Sequence, residues 1–225
     1  MGIISLKSAD NLVWLGRYSE RVYNTLKRYF LSFDQMIDAG DLYYKEVCQR
    51  LNIPDVYGSK DHFLANYPFD PENPDSIFTN LTRAFDNALV MRDYIGSESL
   101  AYIQLAIYEM NKAKISSSPL IELQNVIDYL LAFYGCLDEQ VDDIEVRHII
   151  KVGRSLEGLD LAARFHEGYR EIDRALGRLE FYIQTTELAH DKEALAKSRS
   201  LADMNEIPYM DLVDTVEHIF LPTFS

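Results

Sequence analysis

Apolar and semi-apolar residues recur at Leu12, Leu15, Val22, Leu26, Phe30, Phe33 and Ile37, at helical spacings. That period predicts a helix over 10–38, with Asp10 as its N-cap and Gly40 as its stop. A shorter helix over 42–52 ends before Pro54. The stretch 54–75 holds Pro54, Pro68, Pro71, Pro74 and Gly58 and reads as one long irregular connection. Asn73-Pro74-Asp75-Ser76 is a helix start, followed by Ile77, Leu81, Phe85, Ala88 and Met91 on one face to about Ile95. Gly96 breaks that helix and Ser97-Glu98 restarts it, giving Leu100, Ile103, Leu105, Ile107 and Met110. Ser118-Pro119 opens another, with Ile121, Val126, Leu130 and Phe133, and Gly135 ends it.

A second long helix is predicted over 138–167, with Val141, Ile144, His148, Val152, Leu156, Leu159 and Ala163 on one face. Helices over 170–189 and 191–203 follow, then a short segment restarted by Pro208 with Leu212, Val216 and Phe220. No strand pattern competes. The expected fold is all-α, an antiparallel multi-helix bundle around one core, with the helices over 10–38 and 138–167 central. The whole chain, 1–225, is expected to form a single domain, with the helices beyond about 190 peripheral.

The two longest helices share a phrase. Leu15-Gly16-Arg17-Tyr18-Ser19-Glu20 returns as Val152-Gly153-Arg154-Ser155-Leu156-Glu157. A glycine inside a helix costs about 1 kcal/mol relative to alanine, so its use twice implies a packing or functional reason. At 100° per residue, Arg17 and Arg21 lie opposite the Leu12–Leu26 stripe, beside Trp14 and Asn24. Arg154 and Glu157 lie opposite the Val152–Leu159 stripe, beside Ile150 and Leu161. Guanidiniums and carboxylates among large apolar residues imply a second face that is at least partly buried. Two readings follow. In one, the helices lie against each other, each glycine admits close backbone approach, and each Arg/Glu pair bonds across as a structural lattice. In the other, Arg17, Glu20, Arg21, Arg92, Arg154 and Glu157 line a pocket for a small anionic or peptide-like ligand, the arginines holding carboxylate or phosphate. Arg92 enters that set only through the resemblance given below.

Charge narrows the partners. Lys and Arg number 22 against 36 Asp and Glu, a net charge of −14, which argues against nucleic-acid binding. No apolar run approaches the roughly 20 residues of a membrane span, and Met1–Lys7 does not read as a signal peptide. Cys48 and Cys136 form no metal or redox motif and fit a reducing cytoplasm. Both read as packing residues rather than nucleophiles. No cofactor is expected: the Gly-Arg pairs sit in helices, where the backbone N–H groups are already used, and no phosphate-cradling loop is present. Of the 15 tyrosines, Tyr43, Tyr44, Tyr102 and Tyr108 are expected at the core edge with hydroxyls outward. One rival chemistry is a di-metal carboxylate enzyme. Glu145-Val146-Arg147-His148 and Glu187-Leu188-Ala189-His190 have the Glu-x-x-His spacing that such bundles use. Glu20, Glu46, Glu98 and Glu109 are candidate partners. A purely structural or interaction protein is the other alternative.

The opening, Ala9-Asp10-Asn11-Leu12-Val13-Trp14-Leu15-Gly16-Arg17-Tyr18-Ser19-Glu20-Arg21, resembles that of the bacterial α-E family, all-helical proteins named for a Glu-Arg motif. Asn73-Pro74-Asp75-Ser76-Ile77, Arg83–Ala88 and Arg92-Asp93 resemble its middle motif. Ile150–Glu157 resembles its later block. Three departures stand out: Gly158 where a second Glu-Arg pair would place arginine, Leu100 where the family often has tryptophan, and an abbreviated 40–75 region. The resemblance implies an accessory or ligand-binding component encoded beside an ATP-grasp amide ligase and a transglutaminase-like peptidase. Such a system makes or modifies peptides. The resemblance assigns no reaction to the α-E component itself.

Overall fold

A computed structural model describes residues 4–39 and 41–220, with side chains described outside 32–42. It is all-α: among these residues there are ten α-helices, one short 3-10 turn and no strand. The helices are α1 (Leu6–Ala39), α2 (Asp41–Leu51), α3 (Lys60–Asn66), α4 (Ile77–Val90), α5 (Arg92–Ile115), α6 (Pro119–Gln140), α7 (Ile144–Arg164), α8 (Tyr169–Gln184), α9 (Lys192–Ala202) and α10 (Tyr209–Glu217). They group into two compact units. One is discontinuous in sequence, Met1–Glu20 with Val141–Ser225; the other is the contiguous stretch Arg21–Gln140.

In the discontinuous unit α7 is buried almost all round. Val152, Leu156, Leu159 and Ala163 join Ile172, Leu176, Leu179 and Ile183 of α8 and Leu212, Val213 and Val216 of α10 in one apolar core. The helix starts later than its period suggested. Asp143 accepts hydrogen bonds from the Glu145 and Val146 amides, so the cap falls inside the expected helix and leaves Val141 outside it. Ile144, expected on the buried face, is exposed. At its other end α7 closes through a left-handed residue. His166 has φ +52°, the Glu167 amide bonds Ala162 O, and the His166 amide bonds Ala163 O. That is the Schellman pattern, with histidine where glycine is usual. α8 stops at Gln184, well short of 189, where the Thr185 amide turns back onto Tyr182 O. α1 begins before Asp10 because Ser5 caps it: its hydroxyl accepts from the Ser8 amide and its carbonyl from Ala9. The predicted stop at Gly40 lies outside the described residues.

In the contiguous unit α5 packs chiefly on α6 and α4. The chain breaks between α4 and α5 at Met91, and again inside α5 at Gly96, whose φ of +79° suits glycine alone among ordinary residues. Gly135 does not end α6, which runs on to Gln140; a Cβ there would meet nothing, so the helix simply passes through. α6 is long and apolar enough to cross a membrane by length and composition, contrary to expectation. Here its Leu123, Val126, Leu130 and Phe133 serve the unit's core.

The proline-rich stretch is more ordered than its composition implied. Ser59 caps α3, and Phe63 stacks on Tyr67 at 4.8 Å between centroids. Tyr57 meets Phe63 edge-on at 5.4 Å, and Tyr44 stacks on it at 5.7 Å. Tyr44 is therefore fully buried rather than at the core edge, its hydroxyl donating to Asp55.

Cys48 is buried near this aromatic cluster, within reach of the Asp55 charge. Burial first, then the Asp55 charge, push its thiol up to about 11 from the ordinary 9.0. A thiol held protonated by the fold contributes stability that is complete below pH 9 and is lost as the pH rises towards 11. In a Cys136→Ala background the folded protein should therefore alkylate slowly at Cys48 at pH 8. Its stability should also fall between pH 9 and 11, with a shallower slope in Cys48→Ala. Fast alkylation of the folded chain at pH 8 would contradict this environment.

Candidate functional site

The repeated phrase forms one crossing within the discontinuous unit. A Cβ on Gly16 would run into the Ile150 carbonyl and lie 3.0 Å from the Arg154 amide nitrogen. A Cβ on Gly153 would run into the Val13 carbonyl and lie 3.1 Å from the Arg17 amide nitrogen. Only hydrogen on the α-carbon permits this approach, and it places Cα–H groups against carbonyls, a weak but favourable contact. The contacts are reciprocal. The shift that carries Val13, Gly16, Arg17 and Glu20 onto Ile150, Gly153, Arg154 and Glu157 also exchanges the two sides of the crossing. It is a local two-fold.

The side chains obey the same exchange. Arg17 Nε donates to Glu157 Oε2 at 3.0 Å, and Arg154 Nε donates to Glu20 Oε2 at 2.8 Å. The pairs differ in depth. Glu157 is 1% exposed and Arg17 17%, against 14% for Glu20 and 27% for Arg154. Burying a charge this deep is costly without an opposite charge beside it, and the Arg17 guanidinium supplies one. Trp14 lies over Arg17, ring centroid to guanidinium carbon 4.7 Å, and stacks on Tyr18 at 5.1 Å. Burial raises the Asp10 carboxyl above its ordinary range, partly offset by a hydrogen bond with Trp14. Ser19, fully buried, donates to Gly16 O, using that helix carbonyl a second time. The exchange stops at Gly158, the counterpart of Arg21, where a Cβ would meet nothing within 4 Å.

The other residues of the expected set go elsewhere. Arg21, in the contiguous unit, reaches Asp75 at 3.8 Å. Arg92 is exposed at the start of α5 and donates to Ser97 Oγ at 2.9 Å. Thus four of the six, Arg17, Glu20, Arg154 and Glu157, meet in one place.

The Glu-x-x-His candidates do not converge. Glu187 and His190 follow the end of α8 and are not helical, and His190 Nδ1 lies 3.0 Å from Leu188 O. Glu145 is in the first turn of α7, and the His148 ring lies against Tyr182 at 5.3 Å. Of the proposed partner glutamates, Glu20 holds Arg154, Glu46 holds Arg50, Glu109 accepts from Asn125 and Lys112, and Glu98 is exposed. Among the described residues no three His, Cys, Asp or Glu are grouped to hold a metal ion.

Two buried or half-buried ionic groups were not singled out in the sequence. Asp160, 1% exposed, accepts from Arg164 at 2.8 Å, and Arg164 also donates to Glu217. Their i,i+4 spacing was the available signal. Arg199 of α9 forks onto Glu180 and also holds Asp173 of α8. The Glu180 hydrogen bonds, more than the Asp173 ones, hold its guanidinium well above the usual range. Glu180 ends the Gly177-Arg178-Leu179-Glu180 near-echo of the repeated phrase, and its work lies in this α8–α9 contact instead.

No curated protein and no solved structure matches the chain. The model of the Alpha-E family, described as a predicted alpha-helical domain with a conserved ER motif, matches residues 5–204. The ER pair of this chain is Glu20-Arg21, whose glutamate closes the crossing with α7 and whose arginine reaches Asp75. With the match covering most of its length, the chain belongs to the Alpha-E family.

Proposed function

We propose that this protein is an accessory component that works beside an ATP-grasp amide ligase and a transglutaminase-like peptidase in making or modifying peptides in the cytoplasm. The partners come from what is associated with the family. The division of labour comes from the crossing. The Nε groups of Arg17 and Arg154 are spent on Glu157 and Glu20, so the repeated device closes on itself. In this reading the crossing fixes the framework, and contact with a ligase falls to other surfaces.

The test is co-purification of the tagged chain with an ATP-grasp ligase from the same source, using wild type and Glu20→Gln. The variant is assayed at a temperature where circular dichroism shows it folded. A stable complex with both forms is the expected result. Absence of a complex with wild type overturns the accessory role. A complex lost in the folded variant overturns the division of labour and moves the function onto the crossing itself.

A further inference from the structure

A cavity of about 730 Å³ opens where the first residue of α8, the α9–α10 loop and the first residue of α10 come together. Tyr169, Asp203, Met204, Asn205, Glu206, Ile207 and Tyr209 line it. Its size falls in the range of small-ligand sites, with room for a side chain and the peptide around it. Four of the residues that line it lie past residue 204, where the family match ends, so the cavity is not a property that the match confers.

Its chemistry has one sign. Two carboxylates, two phenol rings, a thioether, the Ile207 side chain and the neutral Asn205 amide line it, and no Lys, Arg or His does. Arg199 lies 3.9 Å from Asp203, at the limit of an ion pair. That guanidinium is already committed to Glu180 and Asp173, each at 2.6 Å, which leaves the Asp203 charge weakly answered. Tyr209 is held on two sides. Its hydroxyl donates to Glu167 O at 2.9 Å, and its ring stacks on His166 at 4.5 Å and 14°. The left-handed His166 that closes α7 thus fixes one aromatic wall of the cavity. Met204 and Tyr169 are half exposed, so the opening is accessible.

Anionic groups beside aromatic faces suit an alkyl cation, whose charge meets the carboxylates while its methylenes cover the rings. We infer that this cavity binds the cationic side chain of a peptide, lysyl or arginyl, between Tyr169, Tyr209, Asp203 and Glu206. The inference stands apart from the amide-ligase reading, and its test uses no ligase.

The probe is a short acetylated and amidated peptide with one central lysine, titrated into the whole protein and followed by NMR or calorimetry. Parallel peptides carry arginine, norleucine or acetyl-lysine at that position, and free lysine is tested separately. Saturable binding of the lysine or arginine peptide, at least about fivefold tighter than norleucine or acetyl-lysine, is expected for two partly exposed charge contacts. The Asp203→Asn/Glu206→Gln double variant should remove that preference while leaving the thermal transition in place, since both residues are exposed. Equal binding of the norleucine peptide, no saturable binding, or an undiminished preference in the double variant would each overturn the inference. Free lysine binding as tightly as the peptide would overturn the peptide assignment.

Discussion

Gly153→Ala is expected to destabilise the protein by about 2 kcal/mol, and Gly16→Ala by a similar amount. The sign is the informative part. In an exposed helix the same change stabilises by about 1 kcal/mol, because glycine is the poorer helix former. Here the added methyl on residue 153 would occupy the place of the Val13 carbonyl, with the carbonyl carbon 2.9 Å away. The obstacle is helix backbone, so no side chain can swing aside and the crossing must open. Opening it lengthens both Arg–Glu bonds as well as the backbone contact. Gly158→Ala, on the same helix with nothing near its Cβ, is the control and should gain about 0.5–1 kcal/mol. Chemical denaturation of the three variants decides the matter. If Gly153→Ala matches the control, the close approach is absent.

The second large effect belongs to Glu157. Removing either partner of a deep ion pair leaves the other without its counter-charge, at a cost of about 3–5 kcal/mol. With Glu157 1% exposed, Arg17→Met should be the severest single change of the four, because it takes the Arg17 charge and its Nε–H donor from a carboxylate that water cannot reach. Glu157→Leu should cost less, since Arg17 retains some access to solvent. The double variant Arg17→Met/Glu157→Leu should recover much of the loss. A thermodynamic cycle over these proteins should return a coupling of about 1.5–3 kcal/mol. The Glu20–Arg154 cycle should give a smaller value, because both its members are more exposed. Equal couplings for the two pairs would show that depth does not set their strength.

Much of the crossing could be read before any coordinates. Helical phase alone put Arg17, Arg154 and Glu157 on a second face, and the paired glycines indicated where two backbones could meet. What phase could not give was depth: it put Glu157 on a face only partly buried and did not mark Asp160 at all, yet both are nearly inaccessible. Arg92 entered through resemblance and has its own local partner in Ser97. Helix ends were the other weak point. Asp143 and Ser5 act through short-range hydrogen bonds that compete with the apolar period, so Val141 and Asp10 were misplaced by a few residues. The stretch 54–75 has too few repeats to show a period, and its order comes from rings stacked on one another. The α9–α10 cavity left no trace in any pattern, since loop residues line most of it.

The discontinuity of one unit has a consequence for how the chain is made. Residues 21–140 form a contiguous unit, whereas α1 emerges from the ribosome long before α7 exists. During that interval Gly16, Arg17 and Glu20 have no α7 to meet. A seam of leucines kept waiting in this way would be prone to aggregate. A seam of bare backbone, a guanidinium and a carboxylate can wait fully hydrated. Once α7 is synthesised, the second copy of the phrase supplies the Arg–Glu partners and the close backbone contacts at a single crossing. The polar seam therefore forms only after α7 has been made, and until then its own charged groups can stay in water.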